Sequence, residues 1–185
     1  MGDMWAALTD EEIMRLSLQN PELRFECNAD GALVTVSPSG AIAGNREAKA
    51  LAYLLNWVES HDLGEVFGSS TGFMLENGAV RSPNAAFVGK ERLPEEWDEG
   101  EDEYLHLAPD FVIEVCSKPE RLDVLKAKMS EYVANGVRLG WLIDRPNQQV
   151  WVYQGDGLIT QLPATAILSG EDVVPGFKLA LKYLL

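Results

Sequence analysis

Residues on which many catalytic and metal sites depend are scarce in this sequence. Histidine occurs only at His61 and His106, which leaves little for a histidine-based metal site. The phosphate-binding loop pattern Gly-x-x-x-x-Gly-Lys-Ser/Thr is absent, and we interpret the small-residue run 68–72 as a structural turn. These absences exclude zinc enzymes with several histidine ligands and nucleotide hydrolases of the phosphate-loop type.

Cysteine is equally scarce, and its two positions, Cys27 and Cys116, lie in apolar, strand-like segments. Two cysteines cannot form the disulfide framework of a small secreted domain, so we expect both thiols to be reduced and buried. Residues 1–16 lack a basic region followed by an apolar stretch, so we do not expect a signal peptide. No apolar run approaches the roughly 20 residues that span a bilayer, so we expect a cytoplasmic protein with no membrane partner.

Positively charged residues are few: the sequence has 15 Lys and Arg and 29 Asp and Glu, which gives a formal net charge of -14. Duplex binding relies on cations that displace counterions from phosphates, so we do not expect a general DNA-coating role. Much of the acidic excess lies in residues 95–103. We interpret this segment as a solvated loop, and a dedicated site for a cation or a basic partner is the alternative.

The 185 residues and the apolar share of 46% predict one folded domain over residues 1–185. In the N-terminal half, a capping-box pattern at Thr9 and Glu12 predicts the start of a short helix. Asn77 and Gly78 predict a tight turn between two extended pieces. The other predicted elements are a hairpin at 23–27 and 32–37, a helix around 48–58, and extended pieces at 65–67, 72–75 and 79–88.

The C-terminal half contains a predicted strand–helix–strand unit. Residues 110–116 form an almost wholly apolar strand that belongs at the centre of a sheet. An apolar helical face follows over 120–135, and residues 139–143 form the next strand. The two strands should therefore be parallel neighbours joined by a right-handed crossover. Residues 149–153 are predicted as a further strand, and 177–185 as a small strand or helix.

Glu114 stands in the middle of the apolar strand, between Ile113 and Val115. A carboxylate there is costly to desolvate unless a cation, a basic side chain or donated hydrogen bonds compensate it. A structural salt bridge and a functional site are both compatible with this position. Asp110 falls on the same face by alternation, but it starts the strand, where bonding to the backbone is at least as good an interpretation.

Four segments of the sequence form an ordered set of motifs. They are residues 81–88, which begin Arg81-Ser82-Pro83-Asn84, residues 108–117 around Glu114, residues 128–136 from Lys128 to Gly136, and residues 140–144. In this order and spacing they resemble the Uma-two family of restriction-endonuclease-like proteins, which is related to the PD-(D/E)XK nucleases. The resemblance covers positions 20 to 180.

The resemblance implies an α/β (α+β) fold, with a mixed central β-sheet flanked by helices and an additional N-terminal β-hairpin layer. It also implies a metal-dependent endonuclease that hydrolyses DNA phosphodiester bonds with Mg²⁺ or Mn²⁺. The alternative is a catalytically inactive module of the same fold that binds a protein or a nucleic acid.

Carried over residue by residue, the family's Asp of the Arg-x-Pro-Asp motif falls on Asn84, its central-strand Glu on Glu114 and its helix lysine on Lys128. Glu26 is an additional acidic candidate. The resemblance therefore implies Glu114, Lys128 and Asn84 as catalytic residues, and Asn84, Glu114 and Glu26 as metal ligands. Asn84 departs from the family pattern, because an amide oxygen can bind Mg²⁺ but brings no negative charge. Lower metal affinity and a lower rate are expected.

Lys126 is the rival for the lysine role. Helical geometry places Lys126 and Lys128 on opposite shoulders of the apolar face, with Lys128 beside Tyr132 as in the family. For each lysine taken alone, a solvated side chain that lies over the core is the alternative.

We also expect a homodimer, because two-fold pairs are the commonest oligomers and endonucleases of this general fold often work in pairs. Trp151 and Tyr153 alternate with Val150 and Val152 along one strand, so both of its faces are apolar. Either another subunit or the C-terminal segment 177–185 must cover one of them. Light scattering that gives a monomer mass would contradict the homodimer.

Overall fold

The computed structural model describes residues 9–20, 23–36, 38–99, 103–116 and 121–185. Within these ranges the chain forms three α-helices and twelve β-strands. In chain order they are α1 (Asp10–Gln19), β1 (Arg24–Cys27), β2 (Leu33–Val36), α2 (Ala41–His61), β3 (Gly64–Gly68), β4 (Phe73–Met74), β5 (Val80–Arg81), β6 (Ala85–Gly89), β7 (Phe111–Cys116), α3 (Leu122–Ala134), β8 (Leu139–Asp144), β9 (Gln149–Gln154), β10 (Ile159–Pro163), β11 (Ile167–Ser169) and β12 (Lys178–Ala180).

The larger sheet has six strands in the order β10-β9-β8-β7-β6-β3. β7 and β8 are parallel, whereas the other neighbouring pairs are antiparallel, so the sheet is mixed. Every residue of β7 and of β8 is buried, as strands with two covered faces require. The predicted central strand and its parallel neighbour are confirmed.

Each face of this sheet has its own apolar core. On one face α2 contributes Leu54 and Val58, which pack with Trp141, and the C-terminal segment adds Phe177 and Leu184. On the other face α3 contributes Met129 and Tyr132. The two cores make the central strands the most deeply buried part of the fold.

The apolar strand that suggested a second subunit is covered within the chain. Val150 and Val152 belong to the core that includes the C-terminal segment, and Tyr153 belongs to the core under α3. Trp151 packs against that second core, with the Lys126 Nζ 3.8 Å from its ring centroid. The two apolar faces of β9 therefore give no argument for a homodimer.

The smaller sheet has four strands in the order β2-β1-β5-β4. It confirms the predicted N-terminal hairpin layer, since β1 pairs with β2 and then with β5. β5 leads through Ser82, Pro83 and Asn84 directly into β6 of the larger sheet. This corner holds β1 next to the carboxyl-terminal half of β7, and the candidate site forms there.

Local sequence signals explain several boundaries. The Thr9 side chain accepts from the Glu12 N–H, and the Glu12 carboxylate accepts from the Thr9 N–H, which is the predicted capping box. Gly78 has a φ of 85° in the turn that joins β4 to β5. The run 68–72 fits the spacing Gly-x-Ser-x-Gly but connects two strands, whereas a nucleophile elbow connects a strand to a helix.

Other predictions are changed in extent or lie outside the described residues. The second helix is longer than its apolar pattern indicated, and the strands β10 and β11 were not predicted. In the acidic segment the described residues 95–99 and 103 are exposed, whereas 100–102 lie outside the described residues, as do 117–120 at the start of the third predicted helix. No helix among the described residues is both long enough and apolar enough to cross a membrane.

Candidate active site

Glu114 lies on β7 with its side chain 5% exposed. Its Oε1 is 2.7 Å from the Nζ of Lys128 and accepts a hydrogen bond from the Tyr132 hydroxyl at 3.2 Å. Lys128 and Tyr132 are four residues apart on α3, so one face of the helix supplies both partners. The buried carboxylate on the central strand is therefore compensated by an ion pair and a hydrogen bond from a single helix.

Lys128 is shared by two carboxylates. Its Nζ is 2.7 Å from Oε1 of Glu26 on β1, as well as 2.7 Å from Oε1 of Glu114. Glu26 and Lys128 are 102 positions apart in the chain, and the two sheets bring them together. Lys126 lies instead over the Trp151 ring and does not join this group.

Arg81 and the backbone of Ser82 hold Glu26 in place. The Ser82 N–H donates to Glu26 Oε1 at 3.0 Å, and the Arg81 Nη1 lies 3.5 Å from Oε2. Arg81 is itself fixed, because its Nε donates to Glu131 at 2.6 Å and its Nη2 donates to Asn28 at 3.0 Å. The candidate site therefore includes a second ion pair behind the first.

Asn84 stands at the corner between β5 and β6. Its Oδ1 accepts a hydrogen bond from the Val115 N–H at 2.7 Å, which ties the corner to the residue that follows Glu114. An amide oxygen has two acceptor positions, so this bond leaves one of them available. Asn84 thus both holds the strand backbone and presents an oxygen donor near Glu114.

Burial and charge shift several pKa values in this group. Burial raises the pKa of Glu114, and the charge of Lys128 opposes that rise without cancelling it. Burial by itself would lower the pKa of Lys128, but the charges of Glu114 and Glu26 outweigh it and raise the pKa. Burial raises the pKa of Tyr132 well above 10.0, and the two carboxylates act in the same direction. Lys128 is therefore held in its charged form, and Tyr132 in its neutral form.

These side chains line a cavity of about 470 Å³. The hairpin of β1 and β2 forms one wall, and the first turns of α3 form the other. Four basic residues and four glutamates line it: Arg24, Arg81, Arg121, Lys128, Glu26, Glu47, Glu114 and Glu131. The cavity is thus balanced in charge, although the whole chain has 29 acidic and only 15 basic residues.

The donor set suits a hard divalent cation in part. Among the residues that the structure describes, no group of three or more His, Cys, Asp or Glu side chains could hold a metal. Glu26 and Glu114 offer two carboxylates to one cavity, and Asn84 adds an amide oxygen. Mg²⁺ binds through one or two carboxylates while waters and substrate phosphates complete its coordination. The residues therefore fit a cation that is completed by substrate and water, not one that is enclosed by protein ligands.

The structure brings together all four residues that the sequence suggested, namely Glu26, Asn84, Glu114 and Lys128, as the lining of this cavity. Arg81 and Glu131 were not predicted to take part. Arg81 is in the quoted motif and Glu131 follows Lys128 by three positions, so helical spacing could have indicated Glu131. Asp110, for which bonding to the backbone is at least as good an interpretation from the sequence, lies outside this cavity lining.

Two comparisons with known proteins bear on the family and the fold. The Uma2 (Uma-two) family model, described as "Putative restriction endonuclease", matches residues 10–182. A crystal structure from Anabaena variabilis ATCC 29413, described as "a putative nuclease belonging to DUF820", is similar to this chain with a TM-score of 0.80. The two sequences are 19% identical over 96% of this chain and 99% of the other, and the likeness shows the fold. No curated protein matches the sequence. Because the family model spans nearly the whole chain, this protein belongs to the Uma2 family, whose fold is that of restriction-endonuclease-like nucleases.

Proposed function

We propose that this protein is a divalent-metal-dependent endonuclease that hydrolyses DNA phosphodiester bonds. One observation carries the proposal: Glu26, Glu114 and Lys128 come from three separate elements and meet in one cavity. The Lys128 Nζ lies 2.7 Å from an oxygen of each carboxylate, although all three side chains are almost fully buried. Burying such a group is costly, and a packed apolar cluster would be at least as stable. A functional role accounts for the charged group.

In this proposal Glu114 and Glu26 would hold Mg²⁺ or Mn²⁺, and Asn84 Oδ1 would be a neutral donor. When bound, such an ion polarises a phosphoryl oxygen and lowers the pKa of water. Since Asn84 supplies no negative charge, the ligands that would hold the ion carry one charge fewer than the family pattern provides.

The remaining groups act through their own chemistry. The Lys128 ammonium is placed to pair with a phosphate oxygen and to stabilise negative charge that develops during hydrolysis. The Tyr132 hydroxyl fixes the orientation of Glu114, while Arg81 and the Ser82 N–H fix that of Glu26. Both carboxylates are therefore held in place before any substrate arrives.

The charge of the cavity supports an anionic substrate. Arg24 and Arg121 line it in addition to the two buried cations. The strong negative charge of the rest of the chain repels a phosphate backbone. Contacts with DNA are thus expected to concentrate at this cavity, and because few cations line it, binding should weaken only modestly as salt rises.

A second candidate function is a module of the same fold that binds nucleic acid or protein without cleavage. The observation that favours it is the bond from the Val115 N–H to Asn84, because it gives the amide a structural role that needs no metal. A calorimetric titration with Mn²⁺ separates the two, since the module predicts no heat and no stabilisation.

Cleavage of duplex and single-stranded DNA with Mg²⁺ or Mn²⁺, with and without a chelator, tests the proposal directly. We expect cleavage that the chelator abolishes, and a loss of more than about 100-fold in Glu114→Gln, because it removes a ligand carboxylate. Glu171→Gln alters an exposed glutamate that bonds Gln154 and is the matched control. Lack of cleavage by the unaltered protein on both substrates would contradict the proposal.

Light scattering of the same preparation tests the homodimer, which we propose as the arrangement that supplies one site to each strand.

A further inference from the structure

We propose that Lys128 competes with the divalent cation for Glu26 and Glu114, so that the cation and a nucleic-acid phosphate bind cooperatively. This inference rests on the proposed function of the same site and specifies how the binding of the cation and the binding of the phosphate depend on each other. Its basis is the position of one ammonium group, 2.7 Å from an oxygen of each carboxylate. A cation that used both carboxylates would enter the space around that ammonium.

The carboxylates are already occupied in the protein alone. Glu26 Oε1 accepts from the Ser82 N–H and contacts Lys128, whereas Glu114 Oε1 contacts Lys128 and accepts from Tyr132. Each oxygen that faces Lys128 thus has two partners. Any cation must displace the ammonium from at least one carboxylate, or bind beside it against repulsion between like charges.

Lys128 is the exchangeable cation of this group, and Arg81 is the fixed one. Arg81 Nη1 lies 3.5 Å from Glu26, and the other two nitrogens of its guanidinium are held by Glu131 at 2.6 Å and Asn28 at 3.0 Å. For Lys128 the described contacts of the Nζ are the two carboxylates themselves and the face of the Tyr132 ring, 5.7 Å from its centroid. A flexible four-carbon stem lets a lysine ammonium move to a new partner within its reach.

A phosphate group is the partner that would release Lys128. It would enter a cavity that Arg24 and Arg121 also line, and its oxygens would accept from the ammonium. Once Lys128 pairs with the phosphate, the two carboxylates regain their full negative charge toward a cation. Because coupling between two binding events is reciprocal, the cation must strengthen phosphate binding by the same factor.

Titration calorimetry with Mn²⁺ on the metal-free full chain tests the competition. Lys128→Met and Lys128→Gln remove the competing charge and should bind Mn²⁺ about tenfold more tightly than the parent protein, which corresponds to about 1.4 kcal/mol. Lys128→Arg keeps the charge and should not gain affinity. Lys126→Met removes a lysine from the same helix outside the cavity, where it lies over Trp151, and should bind as the parent does.

A second titration tests the coupling, with a short phosphorothioate oligodeoxynucleotide as the anion and its own Mn²⁺ uptake subtracted. The parent should bind Mn²⁺ about tenfold more tightly with the oligonucleotide than without it, a difference of about 1.4 kcal/mol. Lys128→Met and Lys128→Gln should lose most of this gain. Circular dichroism shows whether each variant is folded, and the parent's own gain is measured without any variant.

The outcomes separate this inference from the proposed function. Equal Mn²⁺ affinity in the parent and in folded Lys128→Met or Lys128→Gln would overturn the competition and leave a metal-dependent nuclease in place. The absence of any gain with the oligonucleotide in the parent would do the same. No Mn²⁺ binding in any protein, with or without the oligonucleotide, would overturn both.

Discussion

Two buried carboxylates lie four residues apart, one just before β7 and one within it, and their surroundings differ. Asp110, just before β7, is 2% exposed and faces two arginines, with Arg92 Nη1 at 2.9 Å and Arg138 Nη1 at 3.7 Å. It also accepts from the Gly89 N–H at 2.9 Å. Glu114, taken as a whole residue, is 4% exposed, but it has a single basic partner, which it shares with Glu26.

The difference shows that burial of a carboxylate does not by itself mark a functional site. Two arginines contact Asp110, which does not line the cavity, so its interactions hold strand ends together. At Glu114 two carboxylates share one lysine and face a cavity of about 470 Å³. A lysine that two carboxylates share beside open space is a group that an incoming cation or phosphate can rearrange.

The largest expected effect is a difference in the free energy of unfolding when each of the two carboxylates is neutralised. Asp110→Asn should lower the free energy of unfolding by about 1–3 kcal/mol, because it removes a buried charged acceptor from its donors. Glu114→Gln should leave the stability equal or higher, because burial already favours the neutral form of that carboxyl, as its raised pKa indicates. Urea unfolding curves measure both.

The control for this pair is Asp172→Asn. Asp172 pairs with Arg138 at 2.9 Å, but its side chain is 82% exposed, so a change of about 0.5 kcal/mol or less is expected. If Asp110→Asn proved as mild as this control, or Glu114→Gln as severe as Asp110→Asn, the contrast between the two ends of β7 would be wrong.

A smaller effect should sharpen the comparison by adding charge at the Glu114 end. Asn84→Asp should raise Mg²⁺ or Mn²⁺ affinity by about tenfold, since a further carboxylate joins the ligands. The bond that the Val115 N–H makes to Oδ1 can persist, so the fold should be retained. Without metal the variant should lose some stability, because the added charge lies near Glu114. Equal Mn²⁺ affinity in titration calorimetry would remove position 84 from the site.

The smallest effect concerns the neutral partner that Glu114 has and Asp110 lacks. The raised pKa of Tyr132 means that the folded protein keeps the phenolic proton at pH values where the unfolded chain has lost it. Stability should therefore fall as pH rises above about 10. One proton contributes about 1.4 kcal/mol of stability per pH unit. Tyr132→Phe should reduce the slope of stability against pH by a fraction of that amount. Unfolding curves from pH 9 to 11 measure how steeply stability falls with pH in each protein. An equal slope in the parent and in Tyr132→Phe would contradict the role given to Tyr132. Asp110→Asn is the control and should keep the slope of the parent.

Most of the fold follows from local patterns. The capping box of α1, the turn at Asn77-Gly78 and the apolar run of β7 each depend on near neighbours in sequence, and all three are confirmed. The strands β10 and β11 were missed because they are short, with five and three residues, and mostly exposed. Pairing partners far apart in the chain, such as β1 with β5, leave no local signal.

The candidate site was predictable only in part. Glu114 was conspicuous as a carboxylate in an apolar strand, and the family motif distinguished Lys128 from Lys126. The contacts of Arg81 with Glu26 and Glu131 depend on the corner between the two sheets, which no spacing in the sequence reveals. That Asn84 accepts from the Val115 N–H likewise follows only from the three-dimensional arrangement.

The ion pair between Glu26 and Lys128 closes a loop of 102 positions in the chain. Contacts of such high sequence separation cost much loop-closure entropy and are typical of folds with high contact order, which assemble slowly. Neither sheet alone contains the group, because Glu26 comes from the smaller sheet and Glu114 from the larger. Whatever the site binds is thus a reporter of complete folding, since a chain with only one sheet formed has nowhere to hold it.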